Sequence, residues 1–392
     1  MNSTRRPRSV LISAKYFPPQ IGGISRIMWE VARALGPAEV CVVTGVRADA
    51  PSSAVDSGVR VYRRPLAFAQ ESAWQTLNLA MATAEIAIRE RPAVAQLATC
   101  EEGYVGLHLD RLFGLPFVIY AHGNEILAAQ AGEWHKPRLA LQRANRVIAN
   151  SHFTAGLLRN LGVEPGRIVI VHPGCDIAHY RRATPRPGLR ERLLGERTGP
   201  TLLTVGHLVE RKGHDTVLKA LPAVLRSVPN VTYLIIGDGP YRTDLERLAK
   251  SLGVRGNVVF AGRVEAEILP ECLAICDAFV MTSRARLDLC DVEGFGLVYL
   301  EANACGKPVI GGRSGGVIDA IEHESSGLLV DPLDENDVAQ AVTRLLTDRD
   351  YAQRLGEQGM QRVRREFTWQ HMVERVRAVL ADVATEPRQR PV

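Results

Sequence analysis

Glu293 and Glu301 stand with seven residues between them in EGFGLVYLEANACGKPV, 293–309. The glycines predict a loop at Glu293 and a helix starting around 295–296, with Glu301 two turns along, about 12 Å away if every step is helical. Two carboxylates so placed can hold hydroxyls at the two ends of one extended ligand. Between them a helix N-terminus offers free N–H groups and a positive dipole end, which suit a phosphate. Gly294 and Gly296 permit close backbone approach. Solvated carboxylates flanking a core helix would have the same spacing, so the pair alone does not decide. A second feature is GHLVERKGHD, 206–215, where Arg211 and Lys212 are adjacent cations just after an expected strand. Together they could neutralise a diphosphate, although an adjacent RK pair is also an ordinary surface feature. The third is PPQIGGISR, 18–26, whose Gly22 and Gly23 follow a strand and open a helix, so that their amides could cradle an anion or simply make a turn. The fourth is YAHGNE, 120–125, with His122 at the carboxyl end of a strand, where function is commoner than for a lone histidine elsewhere.

The elements that must position these residues alternate along the chain. Short apolar runs at 9–13, 39–44, 59–62, 93–98, 116–123, 146–151 and 167–174 read as strands, separated by amphipathic stretches such as 22–35, 74–91 and 104–113. The pattern repeats after a break, with strands at 201–206, 231–237, 257–262, 278–283, 308–312 and 327–330. From 337 onward the chain reads as mostly helical. Strand–helix alternation of this kind means parallel βαβ units. The fold class is α/β, as two Rossmann-like doubly wound parallel-sheet domains facing across a cleft, and such sheets bind ligands beyond the carboxyl ends of their strands. The stretch 176–200 is rich in Arg, Pro and Gly and lacks an apolar period, so it is expected to be the linker between a domain at 1–175 and another at 201–366. The last segment, 367–392, is expected as a helix crossing back to the first domain.

Composition narrows the class. A chain of 392 residues exceeds what one core comfortably serves, which favours two domains. With 46% hydrophobic and 23% charged residues it is neither a disordered chain nor a fibre. No apolar run approaches the roughly 20 residues of a spanning helix, and the basic start, MNSTRRPRSVLISAKYF, breaks its apolar run at Lys15 without a cleavage site. Seven scattered cysteines read as buried free thiols in a reducing, cytoplasmic setting. Residues 1–175 hold 19 Lys and Arg against 13 Asp and Glu, a net +6, while the remainder holds 29 against 30, a net −1. A basic first half suits an acidic partner. In VRVYRRPLAFAQ, 59–70, Arg60, Arg63 and Arg64 adjoin Leu66 and Phe68, with Trp74 beyond. Basic and apolar side chains so mixed suit peripheral contact with an anionic membrane at its inner face, and equally an ordinary packed strand end.

Taken in order, these features resemble the retaining glycosyltransferases of family four, which have the GT-B fold. The likeness runs through nearly the whole chain: the glycine loop, the HG at a strand end, ANSHFT, HPGCD, RKG, IIGDGP, FAGRV and the paired glutamates. The stretch 291–316 is further similar to bacterial mannosyltransferases of the phosphatidylinositol-mannoside type. The resemblance implies a nucleotide-sugar donor held by the C-terminal domain and a glycan, lipid-linked or small-molecule acceptor held by the N-terminal one. It assigns the diphosphate to Arg211 and Lys212, donor-sugar hydroxyls to Glu293 with backbone at Phe295 and Gly296, the phosphate turn to Leu297, and the ribose to Glu301. It places Gly206 near the phosphates, Arg263 and Val264 against the base, Gly22 and Gly23 near the phosphate from the other domain, and His122 near the reacting sugar.

Retention by a front-face mechanism is the family's expectation, and no carboxylate pair for double displacement is evident. No metal and no other cofactor is expected, since Arg and Lys supply the positive charge; Asp288 and Asp291 read as loop structure or sugar contact. GDP-mannose is the first choice of donor and a UDP-hexose, such as UDP-glucose or UDP-N-acetylglucosamine, the alternative. A catalytically idle nucleotide-sugar-binding protein and a non-transferring enzyme of the same fold are rival readings. A dinucleotide dehydrogenase fails, because no G-x-G-x-x-G follows a strand, and nothing points to nucleic acid.

Overall fold

A computed structural model describes residues 8–20, 22–45, 53–56, 58–64, 73–130, 135–181 and 183–386. The chain folds as two compact units, one of residues 1–173 with 369–392, the other of 174–368. Each is built on one sheet. Strands are numbered in chain order: β1 Ser9–Ser13, β2 Val40–Gly45, β3 Ser53–Asp56, β4 Val59–Arg64, β5 Val94–Leu97, β6 Phe117–Ala121, β7 Arg146–Ala149 and β8 Ile168–Ile170 in the first unit; β9 Thr201–Val205, β10 Thr232–Ile236, β11 Val258–Gly262, β12 Ala278–Met281, β13 Val309–Gly312 and β14 Leu328–Val330 in the second.

The first sheet runs β3-β4-β2-β1-β5-β6-β7-β8 and is parallel except for β3, which pairs antiparallel to β4. Its central strands are apolar and buried along their whole length, as required of a sheet covered on both faces. The order reverses between β1 and β5: the chain steps outward through β2 and β4, then crosses to the other side. Helix Gly23–Leu35 buries Ile27, Met28, Val31 and Leu35 along one stripe, the 3.6-residue period that the sequence suggested. The last helix, Trp369–Thr385, belongs to this unit. It buries Val373, Val376, Leu380 and Val383. Polar ties at its rim run from Arg377 to Glu39 (2.9 Å) and from Arg146 to Asp382 (2.6 Å), and Arg26 lies over the Trp369 ring.

The second sheet runs β11-β10-β9-β12-β13-β14, all parallel, so the carboxyl ends of its six strands share one edge. The reversal falls between β9 and β12. In open sheets of this kind, ligands bind in the crevice outside the carboxyl ends of the strands at such a reversal.

The stretch 176–200 differs from the linker expected of its composition. It carries helices Ile177–Arg181 and Leu189–Leu194, and Tyr180, Leu189 and Leu194 are buried in the core of the second unit. Arg186 holds Glu271 at 2.6 Å from the same unit. Residue 367 likewise belongs to the second unit, where Phe367 packs on Phe295 with ring centroids 5.8 Å apart. Among the described residues no helix is long and apolar enough to cross a membrane.

Candidate functional site

Two loops of the second unit converge at its strand-order reversal. The first leaves β9 and makes one tight turn, Glu210–Lys212, closed by Gly213 at φ 72°. A Cβ on Gly213 would lie 2.1 Å from the carbonyl oxygen of Thr282, so only glycine lets the turn lie this close to the end of β12. The Thr282 hydroxyl donates to the Gly213 carbonyl at 2.9 Å and fixes that approach. Helix His214–Ser227 then starts at once, and Arg211 and Lys212 are presented just before it. The second loop leaves β12 and carries Asp291 and Glu293 before Gly296, at φ 92°, opens helix Leu297–Ala304. The Glu293 carbonyl accepts from the Gly316 amide at 2.8 Å, and a Cβ on Gly315 would lie 2.5 Å from that same carbonyl.

The loops meet through charge. Lys212 Nζ and Arg211 Nη1 both donate to Glu293 Oε2, at 2.5 and 2.9 Å, and the Ser283 hydroxyl approaches the same oxygen at 3.4 Å. Arg211 Nε donates to Asp291 Oδ1 at 2.6 Å. The side chains of Glu293 and Lys212 are each only 13% exposed. Burial pushes the Glu293 carboxyl upward, but Lys212 and Arg211 outweigh it and hold the carboxyl below its ordinary value. Glu293 is therefore a buried anion at neutral pH, with two cations sharing one of its oxygens. Such a pair of cations is suited to a ligand carrying more than one negative charge.

The other residues singled out in this unit fall along the same edge. Gly206 follows β9 beside Lys212, whose stem carbon Cε would lie 3.7 Å from a Cβ there. Arg263, exposed, and Val264, partly buried against the core, follow β11 at the sheet's edge. The Phe295 ring is buried in the core, which leaves its backbone as the part available to a ligand. Leu297 is the first residue of the helix, whose N-terminus has no side-chain cap, and Glu301 lies further along it, 7% exposed. The structure thus brings Gly206, Arg211, Lys212, Glu293 and Gly296 together, with Glu301 on the helix they open.

In the first unit, Gly22 precedes helix Gly23–Leu35, and its carbonyl accepts from the Arg26 amide at 3.0 Å. The space around a Cβ at Gly22 is open. His122 follows β6. Its Nε2 is 3.0 Å from the Ala98 carbonyl, and its backbone N–H donates to Glu125 Oε1 at 2.5 Å. Asn150 Nδ2 donates to the His122 carbonyl at 3.1 Å, so the residue is fixed from the ends of β5 and β7 and from helix Asn124–Gln130. Its Nδ1 is buried without a partner, beside a small pocket that Ile27, Tyr120, Asn150 and Met372 also line. At this unit's own reversal, Glu102 accepts the Ala14 amide at 3.0 Å and both the amide and hydroxyl of Thr99 at 3.0 and 2.7 Å. Burial pushes the Glu102 carboxyl up to about 7, against those hydrogen bonds.

Sequence reasoning passed over Asp291 as a partner of Arg211, Ser283, the Gly315–Gly316 pair and, beside His122, Glu125 and Asn150. Signals existed for some. SGG at 314–316 is a glycine doublet after a strand, and Glu125 stands three residues after His122, the spacing at which a carboxylate can cap a backbone amide. Of the apolar residues expected at a membrane patch, Leu66 and Phe68 lie outside the described residues.

Residues 186–362 match the family model described as glycosyl transferases group 1, and residues 21–179 match that of glycosyltransferase family 4. The chain is 33% identical, over 92% of its length and 94% of the relative's, to a GDP-mannose-dependent alpha-(1-6)-phosphatidylinositol monomannoside mannosyltransferase of Mycobacterium tuberculosis. It is 30% identical, over 97% and 99%, to a GDP-mannose-dependent monoacylated alpha-(1-6)-phosphatidylinositol monomannoside mannosyltransferase of Corynebacterium glutamicum. Among solved structures it resembles sucrose-phosphate synthase from Thermosynechococcus elongatus, with a TM-score of 0.82 and 23% identity over 96% of this chain and 99% of that one.

Proposed function

The chain belongs to the family-four glycosyltransferases, and from that premise we propose that it moves mannose from GDP-mannose to a hydroxyl of a lipid-linked acceptor, with retention of anomeric configuration. The observation that carries the reading is the sharing of one Glu293 oxygen by Lys212 and Arg211 at the second unit's strand reversal. A diphosphate is the ligand that these two cations fit. They stabilise the negative charge that grows on it as the sugar leaves. Once the cations turn to the diphosphate, Glu293 is free to accept hydrogen bonds from the sugar hydroxyls. The backbone at Gly296 and Leu297 meets a phosphate, and Glu301 takes the ribose hydroxyls. Gly206 keeps the floor beside Lys212 open, and Arg263 and Val264 border the base.

In a front-face transfer the acceptor oxygen bonds to the anomeric carbon on the side from which the diphosphate departs, and a diphosphate oxygen takes the acceptor's proton. That scheme needs no protein nucleophile and no metal, because the cations are Arg211 and Lys212. The acceptor is assigned to the first unit, whose net charge is positive. There helices Ala73–Glu90 and Gly103–Phe113 pack together and expose Met81, Ile88, Leu112 and Phe113 beside Arg89 and Arg111. These residues suit peripheral attachment to the anionic inner face of a membrane.

A thermal-shift screen against GDP, UDP, ADP and their sugars tests the donor. GDP and GDP-mannose should raise the melting temperature by mass action, UDP and ADP should not. Stabilisation by UDP and UDP-sugars alone would replace GDP-mannose with a UDP-hexose. Salt-sensitive co-sedimentation with anionic vesicles tests the membrane assignment, and its absence would remove that assignment.

A further inference from the structure

The segment 284–291, between β12 and Glu293, has a job that the donor assignments leave open. It folds back on itself: the Arg286 amide donates to the Asp291 carbonyl at 2.8 Å and the Asp291 amide to the Arg286 carbonyl at 3.1 Å. Its tip, Leu287–Leu289, is not held by packing, since Leu287 and Leu289 are 58% and 55% exposed. Its base is held by polar ties to the Glu210–Lys212 turn. The Arg284 amide donates to the Arg211 carbonyl at 2.8 Å, Arg286 pairs with Glu210, and Asp291 Oδ1 accepts from Arg211 Nε at 2.6 Å. Arg284 is itself anchored in helix His214–Ser227 through Asp215 at 3.0 Å. The backbone and the guanidinium of Arg211 are thus both gripped by this one segment.

The two carboxylates on Arg211 use different edges. Glu293 occupies Nη1 and Asp291 occupies Nε. A diphosphate that draws Arg211 away from Glu293 competes for the terminal nitrogens, while the Nε bond to Asp291 can persist. We infer that Asp291 is a positioning residue that keeps the Arg211 guanidinium aimed at the diphosphate after Glu293 has let it go. The inference rests on the donor reading proposed above. Without Asp291, Arg211 would reach the same ligand only by ordering a longer, freer side chain, and part of the charge-assisted binding would be lost.

The test is a double-mutant cycle on the full chain, with GDP binding measured by calorimetry. Asp291→Asn keeps the main-chain bonds of the segment and should weaken GDP by about tenfold. Arg211→Gln should weaken it at least as much. Asp291→Asn added to Arg211→Gln should cost less than about a further twofold, because the residue acts through the arginine. Glu210→Gln is the control: it cuts the neighbouring, more exposed tie and should change GDP affinity by less than about twofold. The inference is overturned if Asp291→Asn leaves affinity unchanged while Arg211→Gln weakens it, or if Asp291→Asn keeps its full effect without Arg211, which would mark a merely structural role. If the unaltered protein binds neither GDP nor UDP, the donor reading falls and takes this inference with it.

Discussion

Replacing Glu293 with glutamine separates the three roles proposed for this one side chain. The substitution keeps an acceptor oxygen but removes the charge. Glu293 Oε2 holds Lys212 at 2.5 Å and Arg211 at 2.9 Å with little exposure to water. Turning each charge-assisted bond into one with a neutral acceptor loses about 1 kcal/mol, so the second unit should lose about 2 kcal/mol of stability. That corresponds to a fall in melting temperature of roughly 4–8 °C for a unit of this size. The same 2 kcal/mol opposes ligand binding, because a diphosphate must take the cations from Glu293. GDP itself should therefore bind Glu293→Gln no more weakly than the parent, and up to about 30-fold more tightly. Sugar transfer should nonetheless fall by about 100-fold, since the lost charge-assisted bond to the sugar counts in the transition state. Scanning calorimetry, GDP titration and initial rates of transfer give the three readings. The stability gap also has a pH signature. The Glu293 carboxyl is held below its ordinary value of 4.5, so its contribution is present above pH 4.5 and is lost as pH falls through the lowered value. The gap between parent and variant should close on acidification below 4.5. A tenfold weakening of GDP in Glu293→Gln would refute the exchange of partners. Glu293→Ala is the poorer experiment, since it leaves the mostly buried Lys212 ammonium without this carboxylate and Arg211 with Asp291 alone, at a cost of up to about 3–5 kcal/mol.

Other consequences are as direct. Gly213→Ala combines a left-handed backbone with a Cβ 2.1 Å from the Thr282 carbonyl, so it should destabilise the second unit by at least about 2 kcal/mol and abolish GDP binding; wild-type binding would show that the turn is not needed. The Glu102 carboxyl, raised by burial to about 7, stabilises the fold below pH 4.5 and loses that contribution as pH rises through 7, worth up to about 3 kcal/mol. Its carboxyl carbon should titrate near pH 7 by NMR, and a midpoint in the ordinary glutamate range would contradict the placement. Burial pushes the thiols of Cys41 and Cys276 up to about 12 and that of Cys272 up to about 11, so these three should react with a disulfide reagent at pH 7.5 only after unfolding. Transfer should survive exhaustive treatment with EDTA, and loss of activity restored by a divalent cation would show that Arg211 and Lys212 do not suffice.

Much of this was legible in the sequence because the decisive local constraints are local. RKG and EGFG each put glycine where the backbone must turn back on a strand end, and the strands themselves are unbroken apolar runs. Position relative to those strands was enough to bring Arg211, Lys212 and Glu293 to one edge. The segment 176–200 is not legible as part of the second unit because its helices are five and six residues long, too short for a period to emerge, and their buried side chains are scattered among Arg, Pro and Gly. The pairing of Arg211 with Asp291 joins residues 80 positions apart, and no local pattern reports it. Summed charge was a blunt guide for a related reason. Arg33, Arg60, Arg64 and Arg146 count toward the basic first half, yet each is already matched by a neighbouring carboxylate.

The central claim is a sugar transfer run by the cations at the second unit's strand reversal. Its most direct measurement is the transfer of labelled mannose from GDP-mannose to a phosphatidylinositol-mannoside acceptor, by the parent chain and by Lys212→Gln, with the anomeric configuration of the product read by NMR. The expected result is an α-linked product from the parent and a rate at least about 100-fold lower from a folded Lys212→Gln. An inverted product, or undiminished transfer without the Lys212 charge, would contradict it.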